Sequence, residues 1–347
     1  MLTRISLVAG MVVCFSLPVS ALAQDSPDSS SGYRVLKKYE IGGEGRWDCV
    51  TVDPETHRLY VPRSTHVIVL DADSGETIGD IPDTEGVHGV ALAPDQGRGF
   101  TSNGRANTVT IFDLKTLKVL GTVKTGENPD AILFDPFTKR VFTFNGRSKD
   151  ATAFDAADGK VLGTIDLGGK PETGVSDGKG QVFVNIEDKS EIVRIDPKEL
   201  KVTARWPIAP GEEPSGLALD AKNRRLFSVC GNEKMVVLDA DSGKIVTTLP
   251  IGKGVDAAAF DPETGHAYSS NGDGTLTVVH EVDPAHFSVV QTVQTQRGAR
   301  TMALDPKTHK IYLPTAQFET AATSAPTTGR ARPNVVPNSF AILVVGK

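Results

Sequence analysis

A unit of about 42 residues recurs seven times in this chain of 347 residues. Each copy begins with an apolar stretch that ends in Asp-Pro or in a residue that takes its place. The residues that end these stretches, used here as anchors, are Asp53, Ala93, Asp135, Asp177, Asp220, Asp261 and Asp305, and they are separated by 40, 42, 42, 43, 41 and 44 residues. A fixed period in this range indicates a repeat architecture, which gathers corresponding residues into a ring.

Each unit has the pattern of four short strands. In the unit around Ala93, apolar runs at 89–92, 99–102, 108–112 and 118–123 are separated by turns rich in Pro, Gly, Asn and Asp. Runs of this kind are typical of strands and turns, and no window has the 3.6-residue period of a long amphipathic helix. The chain is therefore predicted to be an all-β, seven-bladed β-propeller with four-stranded antiparallel blades, numbered 1 to 7 from Asp53 to Asp305.

The ends of the chain predict how the ring closes. Blade 7 has a third apolar run at 340–344 and then the chain stops, so its fourth strand is missing. Residues 33–43 match residues 159–169, which hold the fourth strand of blade 3. We therefore predict that the N-terminal strand completes the last blade and removes the open sheet edges. One propeller domain would cover residues 33–347, with a long loop at 315–337 that is either a lid or disordered.

The N-terminus has the pattern of an export signal. Residues 1–23 combine a charged Arg4, an apolar core and an A-x-A cleavage sequence at 21–23. We expect cleavage, a disordered leader at 24–32, a periplasmic or secreted location and no membrane span. Cleavage would remove one arginine and no acidic residue, so the net charge of −6 would become −7. This acidic balance argues against general nucleic-acid binding.

Several residue types that often mark catalysis have a simpler explanation here. The recurring turn carboxylates, such as Asp53 and Asp71, are interpreted as turn formers because Asp bonds its own backbone two residues on. The mature chain would keep Cys49 and Cys230, which fall in non-neighbouring blades, so we expect two buried thiols and no disulfide. No CxxCH, HExxH, GxSxG, GxGxxG or P-loop sequence occurs.

Two further expectations concern packing and histidines. Aromatic residues make up only 6% of the chain against 39% for all hydrophobic residues, so the packing between blades should rest on Val, Ile, Leu and Ala. His57, His266 and His309 lie in or just after the generic first turns, where we expect them to be solvated. Only His88, with His66 as a distant second, is placed for function.

One face of the predicted propeller is not repetitive. The starts of the first strands and the loops between second and third strands share this face, and the first strands are innermost, so these residues should surround the mouth of the central channel. The candidate ligand-binding residues at the strand starts are Arg46, Asp48, His88, Asp130, Glu172, Glu213, Asp256 and Arg300. They differ from blade to blade, whereas a structural role would repeat one residue type. Each could instead cap a neighbouring blade or form an inter-blade salt bridge.

The loops after the second strands add more charge. Arg63, Arg105 and Arg147 fall in blades 1 to 3, and Glu187 falls in blade 4. The recurring Asn of these loops, such as Asn103, are interpreted as turn formers that tolerate left-handed φ. We predict a mouth split into a cationic arc on blades 7 to 3 and an anionic arc on blades 4 to 6. Such a mouth suits a ligand with both charges, or an anion held on the arginine side.

A resemblance supports the fold. Residues 107–116 (NTVTIFDLKT), followed by VLGTV at 119–123 and GENP at 126–129, resemble the YVTN-type β-propeller repeat of the exported YncE-like proteins. The resemblance implies a seven-bladed periplasmic or secreted propeller without agreed catalytic residues. DNA binding has been suggested for relatives, and the acidic balance of this chain opposes it.

We therefore expect an exported, monomeric, non-enzymatic propeller that binds a small polar or anionic ligand, or an envelope protein, at the channel mouth. The first alternative is a metal-assisted, lactonase-like hydrolase or an oxidoreductase on the same face. The second is a passive interaction scaffold. No catalytic residue is assigned and the metal ligands are unknown; the sequence requires no cofactor and leaves open a divalent cation in the channel.

Overall fold

The structure is a computed structural model that describes residues 32–319 and 334–347. It contains seven four-stranded antiparallel sheets, so the predicted seven-bladed propeller is confirmed. The innermost strands of blades 1 to 7 are β2 (Thr51–Asp53), β6 (Val87–Ala93), β10 (Pro129–Asp135), β14 (Pro171–Ser176), β18 (Pro214–Asp220), β22 (Val255–Asp261) and β26 (Ala303–Asp305). The second strands are β3 (Arg58–Pro62), β7 (Arg98–Asn103), β11 (Arg140–Asn145), β15 (Val182–Ile186), β19 (Arg225–Cys230), β23 (His266–Asn271) and β27 (Lys310–Thr315).

The outer half of each blade follows the same order. The third strands are β4 (Val67–Asp71), β8 (Thr108–Asp113), β12 (Asp150–Asp155), β16 (Glu191–Asp196), β20 (Lys234–Asp239), β24 (Thr275–Asp283) and β28 (Ala341–Gly346). The fourth strands are β5 (Thr77–Ile81), β9 (Val119–Lys124), β13 (Val161–Asp166), β17 (Lys201–Pro207), β21 (Ile245–Pro250), β25 (His286–Gln294) and, for blade 7, β1 (Arg34–Glu40). The helices of the described residues are two 3-10 turns, Pro94–Gln96 and Glu187–Lys189, and none of these residues forms a helix able to cross a membrane.

The ring closes as predicted. The sheet of blade 7 has the order β1-β28-β27-β26, and β1 runs antiparallel to β28 with Arg34 opposite Gly346 and Glu40 opposite Ala341. Each innermost strand also contacts the innermost strands of both neighbouring blades, including β2 with β26. The first strand in the chain thus covers the edge that blade 7 would otherwise expose.

The hydrophobic core is divided among the seven contacts between blades. Each of seven buried clusters joins residues of two adjacent sheets; between blades 1 and 2, for example, Tyr60 and Val69 pack with Val87 and Phe112. Aliphatic residues are numerous in these clusters, as expected, but the largest fully buried side chains are nearly all Phe and Tyr. The few aromatic residues are therefore concentrated at the blade interfaces, where one large side chain fills the space between two sheets.

The turn carboxylates have the structural role that the sequence indicated. Asp53 accepts hydrogen bonds from the backbone amide of Glu55 (3.0 Å) and the hydroxyl of Thr56 (2.7 Å). Asp71 accepts from the amide and hydroxyl of Ser74 (2.8 and 2.9 Å), and these bonds lower its pKa. Both carboxylates stabilise their own turns and face away from the channel mouth.

The recurring Asn residues do not form turns by left-handed φ, so this expectation was wrong. Asn103 is buried; its side-chain oxygen accepts from the Thr101 hydroxyl (2.8 Å) and its amide donates to the Thr110 hydroxyl (2.9 Å). The left-handed residue lies four positions later, at Asn107 with φ of 54°. Asn145 makes the same bonds with its own neighbours, so Asn103 and Asn145 each tie the end of a second strand to the third. Asn185 differs, because its amide donates to the carbonyls of Ser215 and Gly216 in the next blade.

Other expectations meet a mixed outcome. Cys49 is partly buried, Cys230 is buried, and both are free thiols. His266 is not fully solvated: its Nδ1 atom is buried, and its ring lies 5.0 Å from that of His280. The two ends of the blade 7 loop pair through Phe318 and Val335. The predicted signal peptide at 1–23, nearly all of the predicted leader and residues 320–333 of the loop lie outside the described residues.

Candidate functional site

One position of the repeat supplies the ring around the channel. It lies five residues before each anchor. In blade order its occupants are Asp48, His88, Asp130, Glu172, Ser215, Asp256 and Arg300. Because the innermost strands contact one another around the ring, these seven unlike side chains are brought to one opening. Six of them are candidate residues of the sequence analysis; Ser215, which was not selected, is found by its constant distance from the anchor.

His88 is the centre of the first half of the ring. Its Nδ1 atom lies 2.7 Å from Oδ2 of Asp48 and 3.4 Å from Oδ1 of Asp130. Burial alone would lower the pKa of His88, but the hydrogen bond to Asp48 and the charges of both carboxylates raise it to about 9. His88 is therefore an imidazolium held between two carboxylates of neighbouring blades.

A glycine leaves room for this imidazolium. Gly104 lies in the loop after the second strand of blade 2, and a Cβ atom added there would lie 2.6 Å from Nε2 of His88. This distance is below van der Waals contact. The loop can approach His88 only because Gly104 has no side chain.

The second half of the ring holds carboxylates that are costly to ionise. Burial, together with the charge of Asp130, raises the pKa of Glu172 to about 8 even though Lys170 lies 2.6 Å away. Burial also raises the pKa of Asp256 to about 6, against the opposing effect of Arg300, whose Nε lies 3.1 Å from it. Ser215 donates to Asp256 at 2.9 Å. The ring thus brings together carboxyl groups that oppose one another's ionisation, and Glu172 is mostly uncharged at neutral pH.

Arginines lie above this ring. Arg46, Arg105 and Arg147 are exposed, and together with Asp48 and His88 they line a polar cavity of about 370 Å³. Arg105 pairs with Glu85 at 2.6 Å, with 73% of the arginine side chain exposed. Arg46 and Arg147 make no ion pair with any carboxylate in the part of the chain that the structure describes. Two guanidinium groups are therefore free to bind an anion.

A second cavity, of about 420 Å³, adjoins the first and shares Arg46 and Trp47 with it. Its wall is more apolar because it contains the rings of Trp47 and Phe318. Neither Trp47 nor Phe318 was among the predicted site residues, although Trp47 lies between Arg46 and Asp48 and Phe318 lies in the long loop. In both cases, the place of the residue in the sequence was the only feature that could have predicted its role at the mouth.

Some candidate residues lie apart from the ring. Glu187 is not at one of the seven ring positions, but Lys170 links it to the ring because its ammonium group pairs with both Glu187 and Glu172. Glu213 has a left-handed backbone with φ of 50° and lines neither cavity. Arg63, expected on the cationic arc, is buried and donates to the carbonyls of Gly42 and Gly45. These bonds stabilise the segment that leads into blade 1.

The charges separate by depth more than by arc. Two carboxylates, Asp48 and Asp130, lie on the side predicted to be cationic, and they are only 23% and 27% exposed. Lys170 and Lys253 bring cations to the side predicted to be anionic. The mouth is therefore an acidic floor beneath a basic rim, and an anion would meet the rim first.

Asp48, His88 and Asp130 form the one group of three potential metal ligands found among the described residues, with ligand atoms within 4.8 Å of one another. Two carboxylates and one imidazole are donors that suit Zn²⁺ or Mn²⁺. A metal would have to displace the proton of His88 that now bonds to Asp48.

The chain matches no family model and no curated protein. Among solved structures, it is similar to a chain of Kuenenia stuttgartiensis hydrazine synthase, with a TM-score of 0.68, 14% identity, and 79% of this chain and 94% of that chain covered. It is also similar to U3-55K (TM-score 0.73, 11% identity, 92% and 99% covered). A chain of a mitotic checkpoint complex gives a TM-score of 0.72 at 14% identity, with 88% and 96% covered. At these identities the likeness shows the propeller fold alone, a fold compatible with a scaffold that binds ligands or proteins.

Proposed function

We propose that this chain is a ligand-binding propeller whose channel mouth captures a small molecule that carries a carboxylate or phosphate group. The observation that carries the proposal is that Arg46 and Arg147, which make no ion pair with any described carboxylate, line one polar cavity together with His88. Guanidinium presents paired donors that match the oxygens of a carboxylate or phosphate. The positive charge of His88 adds to theirs.

Arg105 supports the same function. Its ion pair with Glu85 is largely exposed, so the pair contributes little to the stability of the folded chain. A ligand anion can therefore take the place of the Glu85 carboxylate on Arg105. The carboxylates of the floor would repel an anion that went deeper. This repulsion would keep the anion at the rim, where the three arginines can bind it.

Calorimetric titration with inorganic phosphate and with succinate tests the proposal. The double variant Arg46→Ala/Arg147→Ala should weaken binding about tenfold or more, because it removes both free guanidinium groups. Lys115→Ala/Lys160→Ala is the matched control, since it also removes two exposed positive charges, but from turns on the opposite face. Equal affinities in the two variants, or no binding by the unmodified chain, would overturn the proposal.

Export and family membership belong to the same proposal. The signal-like pattern of residues 1–23 and the YVTN-type repeat at 107–129 support an exported propeller similar to the YncE-like proteins. Fractionation of the cells that express the full chain, followed by N-terminal sequencing, tests export. Cleavage after Ala23 and recovery outside the cytoplasm are the expected results; full-length protein in the cytoplasm contradicts them.

The cluster of Asp48, His88 and Asp130 supports a second candidate function, a metal-assisted hydrolase. A divalent ion held by these ligands would lower the pKa of a bound water, and the arginines above would bind an anionic substrate. Metal analysis of the protein dialysed against Zn²⁺ or Mn²⁺, combined with lactone hydrolysis assays, tests it. Stoichiometric metal that is lost in Asp130→Asn would favour the hydrolase. If neither metal nor anion binds, the passive scaffold is the remaining alternative.

A further inference from the structure

The second cavity at the mouth combines aromatic walls with positive charge. Besides Arg46, it is lined by Trp47 and Phe318 and by the cations Lys253, Arg297 and Arg300. Asp273 is its one acidic residue, and that carboxylate already accepts hydrogen bonds from the amides of Lys253 (2.8 Å) and Thr275 (3.1 Å). Lys253 also pairs with Glu233 at 3.8 Å and Arg300 with Asp256 at 3.1 Å. Arg46 and Arg297 make no ion pair among the described residues, so the cavity keeps a small surplus of positive charge next to its apolar rings.

The aromatic wall is held in place by a row of side chains in contact, whose neighbouring rings are tilted by 44° to one another. The guanidinium of Arg63 lies 4.0 Å from the ring centre of Phe340. The Phe340 ring lies 5.1 Å from that of Trp47, which lies 6.3 Å from that of Phe318. Arg297 ends the row, 5.9 Å from the Phe318 ring. Since a guanidinium contacts the aromatic ring at each end of the row, the position of Trp47 is set by protein contacts alone.

The remaining wall is bare backbone. Gly254, Gly272 and Gly298 line it. A Cβ atom at Gly298 would lie 2.5 Å from the ring of Phe318, and one at Gly272 would lie 2.9 Å from the carbonyl oxygen of Gly254. Glycines at these positions let the Phe318 ring and the Gly254 backbone pack directly against the neighbouring backbone. The cavity beside them is bounded by the apolar rings of Trp47 and Phe318, which suits a ligand that carries an aromatic ring.

We infer that this cavity binds the ring of the captured ligand, and that the ligand class is a small aromatic carboxylate or aryl phosphate. The inference rests on the proposed function, because Arg46 belongs to both cavities and would hold the anionic group while the ring lies against Trp47 and Phe318. A volume of about 420 Å³ fits a molecule of one or two rings. The surplus of positive charge, from Arg46 and Arg297, favours an aromatic anion over an aromatic cation.

Tryptophan fluorescence provides a direct test, because the chain has two tryptophans. Trp206 lies in blade 4, stacked 6.0 Å from Phe183, so the variant Trp206→Phe leaves Trp47 as the only reporter. This variant is titrated with phenyl phosphate, inorganic phosphate, cyclohexanecarboxylate and benzoate. Phenyl phosphate should change the emission of Trp47 and bind about tenfold more tightly than inorganic phosphate, and benzoate should bind more tightly than cyclohexanecarboxylate.

Variants of Phe318 separate the ring subsite from the anion site. In the Trp206→Phe background, Phe318→Ala should abolish the preference for phenyl phosphate while inorganic phosphate, followed by calorimetry, still binds. Phe318→Leu keeps the volume and should lose most of the preference too. Phe137→Ala is the control, because that ring is 54% exposed in a turn of the opposite face.

The outcomes distinguish the two proposals. If phenyl phosphate and inorganic phosphate bind equally and both depend on Arg46, the aromatic subsite is wrong and the anion-binding function stands. If neither binds, both fail. A preference for phenyl phosphate that survives both Phe318 substitutions also overturns the subsite.

Discussion

Nδ1 of His88 lies 2.7 Å from Oδ2 of Asp48, although the two residues belong to different blades and are 40 positions apart in the chain. They occupy the same position of consecutive repeats. The fold thus brings residues that are one repeat apart in the chain close enough to form a direct charge-assisted hydrogen bond. Around the ring the same step joins His88 with Asp130 and Asp256 with Arg300.

His88 should remain protonated at neutral pH. Its pKa is raised to about 9, because the bond to Asp48 and the charge of Asp130 outweigh burial. Asp48→Asn should lower the titration midpoint of His88 by about one unit or more, since it removes the charged acceptor. NMR titration of the imidazole, assigned with His88→Gln, measures this. An unchanged midpoint in Asp48→Asn would show that the pair does not set the charge of His88.

The stability of the propeller should fall as pH rises through the titration of Glu172. Its folded pKa of about 8 lies above the ordinary value of 4.5, so the folded state binds more protons between these values and stability declines across that window. Glu172→Gln cannot ionise. Its loss of stability between about pH 5 and 8.5 should be smaller than that of the unmodified chain by about 2 kcal/mol, allowing for solvent screening at the mouth.

Urea denaturation at several pH values measures the effect of Glu172→Gln, with Glu199→Gln on an exposed turn as the control. If the free energy of unfolding falls equally with rising pH in Glu172→Gln and in the unmodified chain, the ionisation of Glu172 does not destabilise the folded chain and the prediction is wrong.

The closing strand should depend on a glycine of blade 1. Gly75 has φ of 78°, and a Cβ atom there would lie 2.3 Å from Cγ of Tyr39 in the N-terminal strand. Gly97 has a similar φ of 63° and nothing within 4 Å. Gly97→Ala should cost about 1 kcal/mol through backbone strain alone, and Gly75→Ala about 2 kcal/mol more through overpacking.

A double-mutant cycle tests the cause of this difference. In a Tyr39→Ala background, Gly75→Ala should cost little more than Gly97→Ala does, because the ring that it meets is gone. Equal costs of the two glycine substitutions in the unmodified chain, measured by urea denaturation, would mean that Tyr39 does not pack on this turn.

His266 should reduce stability in acid. Burial, followed by the charge of Lys347 and by His280, lowers its pKa to about 4. The unfolded chain therefore binds a proton at His266 between about 6.5 and 4 that the folded chain does not, so stability falls as pH drops through this window. His266→Phe should lose less stability than the unmodified chain between pH 7 and 5. Its Nδ1 atom has no hydrogen-bond partner among the described residues, so the replacement removes no hydrogen bond of that atom.

Denaturant midpoints at the two pH values measure this difference. His286→Gln, at a side chain that is 76% exposed, is the control and should behave as the unmodified chain does. If His266→Phe loses as much stability in acid as the control, His266 is not the group that titrates.

The repeat was sufficient for the fold because its signals are local. The sequence patterns that predict the turn at Asp53 and the strand at 33–43 are each contained in a few consecutive residues. The structure has the same turn and the same closing strand. Asn103 was misread for the converse reason. Its partners Thr101 and Thr110 lie on two strands, so only their pairing shows that the side chain is buried.

The sequence by itself determined the seven blades, the closure by the N-terminal strand and the set of unlike residues at one repeat position. Only the tertiary structure decided that carboxylates form the floor and arginines the rim, that Arg63 is buried while Arg46 is free, and that Trp47 and Phe318 form one wall. The reason is physical. The period fixes where each backbone segment lies, but the depth and the ion-pair partner of a side chain depend on neighbouring blades about 42 residues away, and no local pattern records those contacts.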